Sequence, residues 1–311
     1  MGSQSFPRVL PDGQTAIQHS SWHRRRAWLK RQRWTIVLPV VAWMVLFFAI
    51  PNLYMLFISF MQVGGYGGIV YHFTLANYGL LFHWVEFKVI ADSLLFSFLV
   101  TIFCLVVGYP FAYIIATSSP KRKIVLLFLV IVPFWTSSLI RTFAMMFLIA
   151  TDGFINSVLL SLHLIHQPLN MLYTMGATYV GQFYSMLPYM ILPLYASLQG
   201  IMDHPEYMEA AKDLGAGAAK TFWKVVAPLS IPGIATGSLL VFIPTLGTFF
   251  IPLLMGGGGV VLVGNFIENQ FLAADNWPFG AAASAVVIVI TLLLIGLSSR
   301  YMNNAFLEEE R

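Results

Sequence analysis

The sequence predicts an all-α, polytopic membrane protein with six transmembrane helices. Three observations carry this. Hydrophobic residues make up 58% of the 311 and charged residues only 10%, whereas soluble globular domains carry about 45–50% apolar and about 25% charged residues. Six stretches are apolar over the roughly 20 residues that a helix needs to cross a bilayer core of about 30 Å. The cations, finally, cluster in segments that alternate along the chain.

The stretches run approximately over Trp34–Met61, Ile90–Thr117, Ile124–Ala150, Tyr173–Gly200, Pro228–Leu254 and Phe279–Tyr301. The first is too long for the apolar core of a signal peptide and no small-residue cleavage site follows it, which predicts a retained anchor. Residues 1–33 read as a basic cytoplasmic tail, 34–301 as the membrane domain and 302–311 as a C-terminal tail. With the N-terminus inside, 17 Lys and Arg residues divide unevenly. Arg8, the cluster from Arg24 to Arg33, Lys121-Arg122-Lys123, Lys212, Lys220, Lys224, Arg300 and Arg311 all fall on the cytoplasmic side, leaving only Lys88 outside and Arg141 within a span. The positive-inside rule then places both termini in the cytoplasm. The net charge of +4 is explained by topology, and no nucleic acid is needed as a partner.

The outer segments, roughly 62–89, 151–172 and 255–278, hold Glu86, Asp152, Glu268 and Asp275 against Lys88. Their glycine clusters, Gly64 to Gly68 with Tyr66 between and Gly256 to Gly259, read as flexible loops. Val260 to Val263 reads as strand-like or interfacial. The lone Cys104 offers neither a disulfide nor a cysteine metal site. His163 and His166 read as surface residues, no metal site is expected, and no catalytic constellation emerges.

The inner segment 201–227 is the polar exception. Asp203 is placed to cap a helix, Pro205 lies in its first turn, and Gly215 suits the turn after it. A second short helix, Ala218 to Val226, leads back to the membrane before Pro228. Ala210-Ala211 and Gly215 would let another protein approach the backbone closely, with Glu209, Lys212 and Asp213 as polar contacts. The alternative is an amphipathic helix lying on lipid. The nearest approach to a phosphate-binding loop, Gly215 to Thr221, has Leu214 and Ala219 where the motif requires glycine, so the chain holds no ATP site of its own.

Within the spans, Arg141 either lines an anion path or forms a structural ion pair, for which Asp92 is the partner at matching depth. Pro110, Pro133, Pro188, Pro193, Pro232, Pro244 and Pro252 break or bend the spans, as around a transporter cavity. Trp135, Tyr184, Tyr189 and Trp277 are candidates for a cation path, since aromatic faces attract ammonium groups, or else members of an interfacial belt. A stand-alone secondary transporter and a membrane enzyme are the rival readings. No internal repeat and no cluster of His or carboxylates speaks for either.

The loop from Glu209 through Ala210, Ala211, Gly215 and Val225 to Pro228 resembles the signature loop of permease subunits in bacterial ABC importers, with Ala227 where leucine is usual. Gly108-Tyr109-Pro110-Phe111-Ala112, Val132 to Arg141, Leu187-Pro188-Tyr189 and Trp277-Pro278-Phe279-Gly280-Ala281 resemble the spermidine/putrescine branch. The resemblance implies a type I importer permease fold, a second homologous permease chain, two cytoplasmic ATPase subunits that use ATP and Mg, and a periplasmic substrate-binding protein. It implies no cofactor on this chain and a place in the bacterial inner membrane, in contact with lipid. It makes Glu209, Ala210, Ala211 and Gly215 the coupling surface and strengthens Trp135 and Trp277, which with Tyr184, Tyr189 and Asp275 are the candidates for a polyamine path. That branch commonly has Asp directly before the Trp-Pro pair, where this chain has Asn276, with Asp275 one residue earlier.

Overall fold

The computed structural model describes residues 37–309, with side chains described from Val37 to Ser298. The basic tail 1–33 lies outside the described residues. The chain divides into two compact units, 1–57 and 58–311.

The first unit is described from Val37 to Phe57, nearly all of helix α1 (Val37–Ile58). Its apolar side chains point outward on every side, which is how a helix solvated by lipid differs from one on a water-facing surface. A π-turn at Val45–Ala49 widens it, and Asn52 Nδ2 donates to the Phe48 carbonyl at 2.7 Å, so that the one amide on this surface is satisfied internally.

The second unit opens with a small antiparallel hairpin, β1 (Gln62–Val63) and β2 (Ile69–Val70), in which Gln62 faces Val70 and Val63 faces Ile69. Gly64 to Gly68, expected as a flexible loop, is its turn. Gly67 and Gly68 take φ of +88° and +77°, and the Gly68 amide donates to the Asp275 carbonyl at 3.0 Å. Then follow α2 (Ala76–Leu80) and the long α3 (Trp84–Thr117).

The third expected span, Ile124–Ala150, is broken. Helix α4 (Pro120–Ile131) passes into a 3₁₀ turn, Val132–Trp135, and α5 (Ser138–Ile149) starts afresh after two extended residues, with α6 (Phe154–Ser161) beyond it. Pro133 causes the break, because it has no amide hydrogen and its ring crowds the preceding turn. Pro110, Pro188, Pro193 and Pro244 are instead absorbed inside continuous helices.

Helix α7 (Met175–Met202) is followed by α8 (Glu206–Asp213), then by α9 (Ala218–Leu229) and α10 (Ile231–Leu246), which meet at 60°. The bend falls at Ser230, two residues past the Pro228 at which the fifth span is expected to begin. Beyond α11 (Phe250–Met255) and a 3₁₀ turn at Gly257–Gly259, the segment Val260 to Val263, expected as strand-like or interfacial, forms no strand: Val260, Leu262 and Val263 are buried and Val261 is exposed. Asn265 Oδ1 accepts from the Leu262 amide at 2.6 Å, and Ser93 Oγ accepts from the Val263 amide at 2.7 Å, fixing the start of α12 (Val263–Leu272) against α3. The last helix, α13 (Trp277–Glu309), runs on past Tyr301 through most of the expected tail.

Helices α3, α7 and α10 form the core, and Met190 stands at its centre with no solvent exposure. It fits because Gly108 of α3 and Gly237 of α10 face it. A Cβ on either would come within 3.2 Å or 2.8 Å of the Met190 side chain. Small residues at crossings let membrane helices approach closely where no hydrophobic force drives them together. Among the described residues four stretches are long and apolar enough to span a bilayer, and the bent pair α9–α10 makes a fifth. With 28 residues, α7 is also long enough, though less apolar, and six spans are compatible with this layout.

Candidate coupling surface and substrate path

The polar segment forms an exposed knob. Glu206 and Glu209 lie in the first turn of α8 and Lys212 in its last, the arrangement the helix dipole favours. Asp203, expected to cap this helix, terminates α7 instead, and its carboxylate accepts from Gln199 Nε2 at 2.6 Å. Pro205 occupies the cap position and offers no side-chain bond. His204 Nδ1 sits 2.8 Å from Glu206 Oε1. Glu206 is held below the usual carboxylate range, first by its own backbone hydrogen bond and then by His204.

Gly215 closes the helix as expected. Its φ of +75° lets its amide reach the Lys212 carbonyl at 2.8 Å while the Ala216 amide reaches Ala211 at 2.9 Å, which is the paired closure of a Schellman turn. Nothing approaches the position a Gly215 Cβ would occupy. Glu209 and Ala210 are exposed, Ala211 is turned inward, and Leu214 is 86% exposed. An uncovered leucine beside open glycine and alanine leaves an apolar patch on an otherwise polar loop.

Behind the knob the chain is fastened to the membrane core. α9 contains a π-turn, Phe222–Val226. The Phe222 ring meets Tyr109 and Tyr113 of α3 edge-on, with centroids 5.7 Å apart in both cases. Tyr109 and the fully buried Ser230 share a hydrogen bond of 2.9 Å at the α9–α10 bend. Lys123 Nζ donates to Gln199 Oε1 at 2.5 Å, tying the start of α4 to the end of α7. Sequence reasoning missed Phe222, Ser230 and Gln199. Gly108-Tyr109-Pro110 was noticed only as a family block, and no local signal pairs a tyrosine with a serine so far along the chain.

The aromatic candidates are not gathered into one cage. Trp135, 74% exposed, stacks edge-on with Phe128, and Tyr189 does so with Phe134. Tyr184 lines a cleft of about 310 Å³ between α3, α4 and α7 whose other walls are Phe, Ile, Leu, Val and Pro side chains. Such walls suit a hydrocarbon chain better than an ammonium group. Trp277, at the start of α13, donates its indole N–H to Asp275 Oδ1 at 3.0 Å and meets Phe271 edge-on. Asn276 Oδ1 accepts from the Phe279 amide at 3.2 Å, so it serves as the cap of α13. An Asp-to-Asn change leaves that role intact, since both side chains cap well.

The expected Arg141–Asp92 pair is not formed. Arg141 Nε and Nη1 are buried without a hydrogen-bond partner, and the one ion pair among the described residues is His204–Glu206. The reason is placement: α5, which carries Arg141, packs on α6, α7 and α11, whereas Asp92 is on α3 within electrostatic reach of Tyr179.

The family described as "Binding-protein-dependent transport system inner membrane component" matches residues 108–307. The chain belongs to that family. The permease is 41% identical over 271 residues to the protein named "Spermidine/putrescine transport system permease protein PotB" of Salmonella typhimurium strain SL1344, covering 86% of this chain and 94% of the relative. The proteins of the same name from Escherichia coli K12 and Haemophilus influenzae are 41% and 40% identical, with 98% and 92% of their lengths covered. Among solved structures, a bacterial alginate ABC transporter in complex with alginate pentasaccharide-bound periplasmic protein matches with a TM-score of 0.71 at 16% identity, over 88% of this chain and 93% of that one. That likeness shows the fold. The permease is a multi-pass membrane subunit of an ABC importer, and the sequence resemblance to the spermidine/putrescine branch holds over most of its length.

Proposed function

We propose that the permease imports polyamines from the periplasm to the cytoplasm, as one of two homologous path-forming chains driven by two cytoplasmic ATPase subunits. The observation that carries this is the 41% identity, over 86% of the chain, to permeases named for spermidine and putrescine. A periplasmic binding protein delivers the cargo. ATP and Mg act on the ATPase subunits, and this chain contributes the path and the coupling knob formed by Glu209, Ala210, Ala211 and Gly215. Both termini are cytoplasmic, as the distribution of Lys and Arg supports.

Physical chemistry is consistent with a polycation. Acidic outer segments, with Glu86, Asp152, Glu268 and Asp275, concentrate cations at the entrance. Ring faces at Trp135 and Trp277, both exposed, offer weak contacts of about 0.5–2 kcal/mol each, so the cargo enters and still leaves. One observation favours a second reading, a small anion as cargo: the two buried Arg141 nitrogens that lack partners.

Uptake by proteoliposomes containing the whole complex separates the two. Labelled spermidine and putrescine are expected to accumulate with ATP, unaffected by excess sulfate or neutral sugars. Competition by sulfate but not by polyamines would overturn the cation assignment and make Arg141 the leading ligand.

A further inference from the structure

We propose that Phe222, Tyr109 and Ser230 form a relay through which movement of the coupling knob enters the membrane helices. This rests on the reading of α8 as the contact with the ATPase subunit. An exposed knob transmits force only through whatever fastens it to the core, and the fastening here is local. α8 buries Ala211 alone among its residues, and Met208 packs half-buried against the core. Past the Schellman turn and the first turn of α9, Phe222 projects toward the core, its ring edge-on to Tyr109 and Tyr113. These two tyrosines are four residues apart and so share one face of α3, forming a notch for the ring.

The second attachment lies at the other end of α9. Ser230 Oγ donates its only hydrogen to the Ala227 carbonyl at 2.9 Å, so in the bond to Tyr109 it is the tyrosine that donates. Tyr109 thus touches both ends of the returning segment, Phe222 at its start and Ser230 at the 60° bend where α10 begins. Between them runs the π-turn, whose looser hydrogen bonding marks a place where a helix can change register. A push on the knob therefore reaches α3 through the ring and α10 through the hydroxyl pair. Both helices belong to the core that must reorient during alternating access.

The test uses the whole complex in proteoliposomes, with solute imported per ATP hydrolysed as the readout. A purely structural contact would lower the yield of assembled complex and leave that ratio alone. Phe222→Leu is expected to keep the ATPase subunit in stoichiometric complex while the ratio falls about fivefold, the lower end of ordinary coupling effects. Phe222→Tyr, which retains the ring, restores it. Tyr109→Phe and Ser230→Ala each lower the ratio, and the double variant falls no further than either single one, because the two share one bond. If Phe222→Leu does not assemble, the hydroxyl pair decides. An unchanged ratio in assembled Phe222→Leu, or in both hydroxyl variants, overturns the relay alone. Failure of the unaltered chain to hold an ATPase subunit overturns the coupling reading and the relay with it.

Discussion

The exposed knob around α8 and the α7–α10 crossing are both built around glycine, for opposite reasons. At Gly215 the backbone needs a positive φ and the space beyond the missing side chain is open. At Gly233 the backbone is ordinary helix, but a Cβ would stand 2.5 Å from Ser197 Cβ and 3.1 Å from the Pro193 carbonyl. One glycine allows a turn and leaves the surface beside it open. The other lets two helices of the same chain touch. The difference teaches that a side chain added at the knob meets open space, whereas one added at the crossing meets a neighbouring helix of the same chain.

The largest effect tests the knob. Gly215→Phe is expected to abolish ATP-driven uptake and co-purification of the ATPase subunit while the protein still inserts in the membrane. Its positive φ adds a penalty of about 1–2 kcal/mol for most residues. Gly215→Asn, which tolerates that conformation better, separates the two causes: it retains the turn and still loses docking if the cleared surface is what matters. Retention of full uptake by Gly215→Phe would remove the knob from the mechanism.

Next in size is the crossing. Gly233→Leu is expected to destabilise the chain by about 2–3 kcal/mol through overpacking against backbone atoms that have nowhere to move. A fall in detergent melting temperature, with little folded protein recovered, would register it. If the variant melts like the unaltered chain, the close approach of α7 and α10 is wrong.

A smaller change sharpens the contrast at the outer surface. Asn276→Ala removes the α13 cap and should cost about 1 kcal/mol, while Asn276→Asp costs almost nothing. Equal melting temperatures for all three would leave the Phe279 amide without its assigned partner.

The smallest effect is that of pH on the knob. Glu206 lies below its ordinary value of 4.5 in the folded chain, so its contribution is present above that value and is lost as pH falls through the lower folded one. The group is fully exposed, and Glu206→Gln is expected to leave the melting temperature at pH 7 unchanged. A marked fall would mean that the His204–Glu206 contact supports more of the loop than its exposure suggests.

Legibility in the sequence followed the range of the forces involved. Gly215 was readable because a helix end is decided by its neighbours within a turn, and the capping of Asp203 was misread because two helices end within reach of that carboxylate. The break at Pro133 and the continuity at Pro188 look alike in sequence. Neighbouring helices decide which freed carbonyls are tolerated. Val260 to Val263 reads as strand-like or interfacial because the burial of Val260, Leu262 and Val263 depends on Ser93 and the core helices, far away along the chain. Arg141 was assigned to Asp92 by depth alone, and depth does not say which side of a helix bundle a residue faces.

The sequence by itself determined the solvent, the helical class, the polar segment between spans and the family, because apolar run length, charge placement and short motifs are properties of contiguous residues. Only the tertiary structure decided the Met190 core, the burial of Val260, Leu262 and Val263, the cap role of Asn276 and the joining of Phe222 and Ser230 to Tyr109. Each of these depends on which helix faces which. In a membrane that choice is made by close packing and by the satisfaction of buried polar groups between segments distant along the chain.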